Sequence, residues 1–296
     1  MKRLMLLALP LLAVLAGCSD AEASGKPTVV VTTNILGDIT SNIVGDQADV
    51  LVLMPPNSDP HSFEISAAEA AKVESAELMI VNGLGLEEGV AKTIDAARSE
   101  GIDILEVGPG VDPVQYVTGQ SSGAEDPHIW TDPQRMRTAV GLIGDAVSTA
   151  LGVNVDAAVA EYDAELADLD ARMSDRFAPI QNRKLVTNHH VFGYLADRYS
   201  FEVIGAVIPS GTTLASPSAS DLSELAGTVR DAGVPTIFVD SSQPDRLAQV
   251  MASEAGVEIS VVKLFTESLG DENSEAPTYL DMMDFNSTAI AEGLVR

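Results

Sequence analysis

Asn154–Pro179 reads NVDAAVAEYDAELADLDARMSDRFAP, and this stretch decides the fold. Val159, Tyr162, Leu166, Leu169, Met173 and Phe177 recur at intervals of three and four residues and so share one helical face. Glu161, Asp163, Glu165, Asp168, Asp170 and Asp175 fall mostly elsewhere. Asn154 is placed to cap the start and Pro179 to end the run. A helix of roughly 24 residues is about 36 Å long, the width of a small domain. The run is too short to sustain a coiled coil. It is predicted to be a stiff strut, residues 154–179, joining two lobes.

On either side of the strut, short apolar runs alternate with helical patterns, which predicts an α/β architecture. In the first half the strand-like runs are Val29–Thr33, Val50–Met54, Leu78–Asn82 and Ile102–Val107. Ser66–Ser75 and Leu86–Glu100 read as helices, and another is predicted after Asp132-Pro133, with Asp as cap and Pro as first helical residue. The second half repeats the plan. Lys184–Thr187, Phe201–Val207, Thr236–Val239 and Val257–Lys263 read as strands, and Val191–Tyr199, Ala219–Ala232, Pro244–Ala255 and Thr278–Leu294 as helices. No residue-level repeat accompanies this alternation. The predicted lobes are residues 28–153 and 180–296, a division that suits a chain of 296 residues.

Acidic side chains number 44 against 17 basic ones, a net charge of −27. Binding to a nucleic-acid backbone rests on Lys and Arg, so nucleic-acid partners are excluded. The acidic surface is read as a solvated face, and the chain as a monomer.

Lys2 and Arg3 precede the apolar stretch Leu4–Ala16, which is too short to span a bilayer and reads as an export signal, residues 1–17. It ends Leu15-Ala16-Gly17-Cys18, which resembles a bacterial lipobox. That resemblance implies a lipid on Cys18, attachment to the membrane through it, and a flexible tether over 18–27. Cys18 is the only cysteine, so the mature chain has no thiol left for a disulfide, a nucleophile or a metal.

The four histidines are His61, His128, His189 and His190. His61 sits in Asp59-Pro60-His61-Ser62-Phe63-Glu64, after a predicted strand, and His128 in Asp126-Pro127-His128-Ile129-Trp130-Thr131-Asp132-Pro133. Asp-Pro precedes both, and the proline stiffens the backbone that presents each imidazole. His189 and His190 leave strand Lys184–Thr187. In open α/β sheets ligands bind beyond the carboxyl ends of strands. Imidazoles collected there from separate loops point to a metal site. Adjacent residues leaving a strand point to opposite sides, so only one of His189 and His190 is expected to face it. Trp130 is read as wall packing. The fourth ligand is expected to be a carboxylate or water, with Asp240 and Glu267 both placed just past apolar runs.

These segments, together with Asn82-Gly83-Leu84-Gly85-Leu86-Glu87, Thr187-Asn188-His189-His190-Val191-Phe192-Gly193-Tyr194, Ile237–Ser242, Phe265-Thr266-Glu267-Ser268 and Thr278–Met283, resemble the zinc/manganese class of solute-binding lipoproteins of ABC importers. They follow the family order over nearly the whole mature chain. The resemblance implies two (β/α) lobes joined by one long helix, with the metal in the cleft between them. It implies His61, His128, His189 and Glu267 as ligands, with Asp240 in reserve, although relatives usually carry Asp where Glu267 stands. His190 falls where relatives often have Asp. The resemblance also implies an ABC permease and its cytoplasmic ATPase as partners, and a location at the outer face of the cell membrane or in the periplasm.

Three imidazoles and a carboxylate suit Zn²⁺ and admit Mn²⁺, and the Irving–Williams order favours zinc. The stretch Val117–Asp126 lacks the His-rich loop of many zinc relatives, so no scavenging loop is expected unless a metallochaperone supplies the ion. The expected function is capture of the ion outside the cytoplasm and delivery to the permease, without enzymatic turnover. A zinc hydrolase would need an open metal position, and no His-Glu-x-x-His helix occurs; a surface adhesin role has no sequence feature of its own. Release is expected through local loop movement, because a long helical link limits rotation. Affinity is expected to fall as pH drops past about 6.5, the ordinary imidazole pKa.

Overall fold

The computed structural model describes residues 25–295 apart from 118 and 257, so the predicted export signal, the Cys18 lipid site and most of the tether lie outside the described residues. The first lobe runs β1 (Thr28–Val31), α1 (Asn34–Val44), β2 (Asp49–Val52), α2 (Ala67–Val73), β3 (Leu78–Val81), α3 (Ala91–Glu100), β4 (Ile104–Glu106) and α4 (Pro133–Leu151). α5 (Asp156–Phe177) follows. The second lobe runs β5 (Lys184–Thr187), α6 (Gly193–Tyr199), β6 (Glu202–Ala206), α7 (Ala219–Ala232), β7 (Thr236–Asp240), α8 (Arg246–Glu254), β8 (Ser260–Leu264) and α9 (Tyr279–Leu294).

Each lobe holds a four-stranded parallel sheet, ordered β2-β1-β3-β4 in one and β6-β5-β7-β8 in the other. The two orders are the same relative to the chain, a repeat of topology without a repeat of residues. Parallel sheets are covered on both faces, which is why the strands read as unbroken apolar runs. Val29 and Val31 face the inner core, whereas Val30 faces the outer one. In β7, Phe238 faces inward while Ile237 and Val239 pack beneath α7 and α8.

The inner core is continuous through both lobes. It contains Val29 and Ile80 from the first sheet, Leu185, Phe238 and Leu264 from the second, and the helices between them. α5 supplies Tyr162, Leu166, Leu169, Met173 and Phe177, all buried, and it packs on α4 and α1 of the first lobe and α9 of the second. Arg137 grips Asp163 with two hydrogen bonds of 2.7 and 2.8 Å, and Arg176 reaches Asp284 of α9 at 3.1 Å. Two α/β lobes therefore share one long helix, and their strand ends face a common cleft. Among the described residues, no helix is long and apolar enough to cross a membrane.

The helix expected over Leu86–Glu100 is shorter than its pattern. Glu87 is buried and accepts hydrogen bonds from the Asn82 and Gly83 amides (2.6 and 3.1 Å) and from Thr32 Oγ1 (2.7 Å). The chain winds around that carboxylate before α3 begins at Ala91.

Candidate metal centre

His61 lies in the loop leaving β2. Asp59 Oδ1 accepts the His61 amide at 2.9 Å, and the Phe63 and Ser62 amides return to the Asp59 carbonyl at 3.0 and 3.2 Å. This turn is the local cause of the ring's placement: a short acidic side chain folds back on the backbone two residues ahead. His128 repeats the device after β4, with Asp126 Oδ1 accepting its amide at 2.9 Å. Here the carboxylate also takes the ring, standing 2.6 Å from Nδ1. A proton held between Nδ1 and Asp126 leaves the Nε2 lone pair free to face the cleft. Tyr116 Oη adds a second contact to the same Nδ1 at 3.1 Å.

His189 and Glu267 come from the second lobe. His189 is the second residue beyond β5, and Thr187 Oγ1 donates to its carbonyl at 2.5 Å. Glu267 follows β8 and is set in place by Asp240, the last residue of β7. Asp240 Oδ2 accepts the Thr266 amide (2.9 Å), Thr266 Oγ1 (2.6 Å) and the Glu267 amide (3.1 Å), while Oδ1 accepts the amide (2.8 Å) and hydroxyl of Ser242. Trp130 Nε1 donates to the Thr266 carbonyl at 2.8 Å, and its ring packs against His128.

The structure brings His61, His128, His189 and Glu267 together, one ligand atom from each lying within 4.8 Å of the others. His128 Nε2 is 3.4 Å from His61 Nε2 and 3.3 Å from His189 Nε2. The Glu267 oxygens are 3.7 Å from His61 Nε2, 3.6 Å from His128 Nε2 and 3.1 Å from His189 Nε2. A tetrahedral zinc site with bonds of about 2.0–2.1 Å has ligand–ligand edges of about 3.3–3.4 Å; the two His128 spacings fall there and the Glu267 spacings within a few tenths of an ångström of it. Asp240 stands outside the group, its Oδ2 taken up by the donors that orient Glu267 and its Oδ1 by Ser242. His190 also stands outside it. Its amide bonds the Ser210 carbonyl at 2.9 Å, and its ring lies toward Tyr116.

All four converging side chains are buried, and both Glu267 oxygens lack any hydrogen-bond partner. Burial raises the Glu267 carboxyl well above the ordinary carboxylate range, and the charges of Asp240, Asp59 and Asp126 add to the rise. Burial lowers the imidazoles. His61 falls to about 2, helped by repulsion from His128 and His189, while His189 falls to about 4 against the pull of Asp240, Asp59 and Asp126. His128 falls well below its usual value through burial and repulsion from His189 and His190. Without a cation this is a costly group of neutral rings around an unpaired acid. A divalent cation at the centre of the group would supply the missing partner.

Sequence reasoning missed the supporting residues. The Asp-two-before-His spacing, present twice, is the signal that could have marked Asp59 and Asp126 as orienting groups. Tyr116 has no such signal, since only the folded chain brings it to His128.

The chain matches the family described as zinc-uptake complex component A, periplasmic, over residues 29–293. It is 31% identical to the manganese ABC transporter substrate-binding lipoprotein PsaA of Streptococcus pneumoniae, over 99% of this chain and 97% of the relative. It is 32% identical to the metal ABC transporter substrate-binding lipoprotein SsaB of Streptococcus sanguinis, over 100% of both. Among solved structures, the periplasmic zinc binding protein TroA of Treponema pallidum has a TM-score of 0.85 at 28% identity, covering 92% of this chain and 100% of the other.

Proposed function

This chain belongs to the family of zinc-uptake complex component A, the metal-binding receptors of ABC importers, and we propose that its cargo is Zn²⁺, held by His61, His128, His189 and Glu267. The observation that carries this reading is the buried Glu267 carboxylate, which has no hydrogen-bond donor and lies 3.1–3.7 Å from three buried imidazole nitrogens. In this reading the protein is tethered outside the cytoplasm by a lipid on Cys18. It hands the ion to a membrane permease driven by a cytoplasmic ATPase, as the names of its lipoprotein relatives suggest. Family membership makes it a receptor rather than an enzyme.

The ligand set supports zinc. Three borderline nitrogen donors and near-tetrahedral spacing suit it, and at equal geometry it outcompetes manganese. Manganese is the second reading, favoured by the name of PsaA and by the two unpartnered oxygens of Glu267, which offer a fifth donor atom.

Calorimetric titration of metal-free protein with each ion tests the proposal. One Zn²⁺ per chain, bound more tightly than Mn²⁺, is the expected result; Mn²⁺ displacing Zn²⁺ at comparable concentration would reassign the cargo. A structural zinc site is worth about 10–16 kcal/mol, so removing one ligand of four should cost on the order of a hundredfold or more. That loss is expected for His61→Ala, His128→Ala, His189→Ala and Glu267→Ala. Asp240→Ala, which frees the Glu267 backbone, should cost about 10–100-fold, as outer-sphere partners do, and His190→Ala little.

A further inference from the structure

Asp59 does more than shape the His61 turn. Its Oδ1 accepts the His61 amide at 2.9 Å, whereas its Oδ2 accepts from the second lobe, from Thr213 Oγ1 at 2.5 Å and Gln243 Nε2 at 2.9 Å. Ser62 Oγ, in its own loop, stands 3.2 Å from the same oxygen. Thr213 lies in the connection after β6 and Gln243 in that after β7, so one carboxylate ties both loops to the loop that carries His61. Next to Thr213, Thr212 Oγ1 donates to Glu88 Oε1 of the first lobe at 2.8 Å.

The same second-lobe segment, residues 208–214, is held on its other flank by the chain before His128. Gln120 donates its amide to the Pro209 carbonyl (2.8 Å), and the Gly211 amide donates to Ser121 Oγ (3.0 Å). A Cβ at Gly211 would lie 2.3 Å from Cζ and Oη of Tyr116, the residue whose hydroxyl touches the His128 ring. Residues 208–214 are therefore a strap across the cleft, anchored at one end on the support of His61 and at the other on the support of His128.

We propose that Asp59, with Thr213 and Gln243, forms an inter-lobe latch whose opening sets the rate at which the cargo leaves. The proposal rests on the metal-receptor reading and adds to it residues that touch no ion. The hydrogen bonds from Thr213 and Gln243 cross between lobes and end on a carboxylate, so they are of the stronger, charge-assisted kind. They can form only where the loops of the two lobes meet across the cleft. They therefore lengthen the life of the loaded state without changing how fast an ion first enters, the usual division in which close contacts act on dissociation.

Stopped-flow measurement of Zn²⁺ uptake and of its loss to a chelator tests this in the full chain. Thr213→Val and Gln243→Ala should each raise the dissociation rate about tenfold, with association unchanged; that factor corresponds to about 1.4 kcal/mol. Thr213→Ser, which keeps the hydroxyl, should behave as wild type. Gly211→Ala should loosen the strap from the Tyr116 side and also speed release. Metal-dependent protection of amides 208–214 from hydrogen exchange should disappear in the Thr213→Val/Gln243→Ala double variant. A double variant that binds Zn²⁺ and releases it at the wild-type rate overturns the latch alone. A wild-type protein that takes up no metal overturns the receptor reading instead.

Discussion

A carboxyl group whose pKa is raised by burial must shed any proton it holds before it can ligate a cation, and Glu267 is such a group. Burial, reinforced by Asp240, Asp59 and Asp126, keeps its carboxyl well above the ordinary range, while burial keeps the three imidazoles neutral far below theirs. The pH dependence expected from ordinary imidazoles therefore moves to the acid. Near neutral pH the rings have no proton to lose, so any proton that binding displaces from the four side chains should come from Glu267, one per ion at most. Affinity should rise about tenfold per pH unit up to the raised carboxyl pKa and level off above it. Calorimetry in buffers of different ionisation enthalpy measures the count directly. Glu267→Gln should bind weakly and release none, whereas three protons per ion would mean that the rings are charged when empty. The sequence showed that imidazoles would converge, because Asp-Pro-His occurs twice and His189 follows a strand. Position alone leaves Glu267 and Asp240 level, and only the family resemblance prefers Glu267, since nothing in a linear string says which carboxylate is already occupied by backbone and hydroxyl donors.

At the scale of the element, the crossing of α4 and α5 is set by a missing side chain. A Cβ on Gly144 of α4 would come within 2.4 Å of Val159 Cγ2 on α5. Gly144→Ala should thus destabilise the protein by about 1–3 kcal/mol, the usual range for overpacking, as read from the urea midpoint. Adding Val159→Ala should recover most of the loss, and a double-mutant cycle without coupling would show that the helices do not meet there. The apolar face of α5 was legible because its spacing of three and four residues is long and unbroken. Its ends were nearly so. Asn154 accepts the Asp156 amide at 3.3 Å, one residue ahead of the helix boundary at Val155. α3 was less legible, because residues 86–90 carry a helical pattern while the buried Glu87 draws the backbone into a turn. α1 has no clean period to bound it in the sequence, because Gly37, Thr40 and Ser41 interrupt its pattern, and packing supplies what propensity lacks.

Considered whole, the molecule has two sheets of the same strand order but not two independent cores. The inner core passes from Val29 and Ile80 through α5 to Phe238 and Tyr279 without a break, and only the outer clusters belong to single lobes. A hinge that swung the lobes apart would have to expose that shared core, with a penalty of about 25 cal/mol for each Å² of apolar surface opened. Loop hydrogen bonds at the mouth of the cleft break far more easily. The motion that admits and releases the ion should therefore lie in the loops of Asp59, Tyr116 and residues 208–214, with the lobes held by α5. Small-angle scattering from metal-free and Zn²⁺-loaded protein should give superimposable profiles and one radius of gyration, while hydrogen exchange changes at those loops. A larger radius in the metal-free state would mean that the shared core parts on opening, and the long helix would then be a hinge rather than a strut.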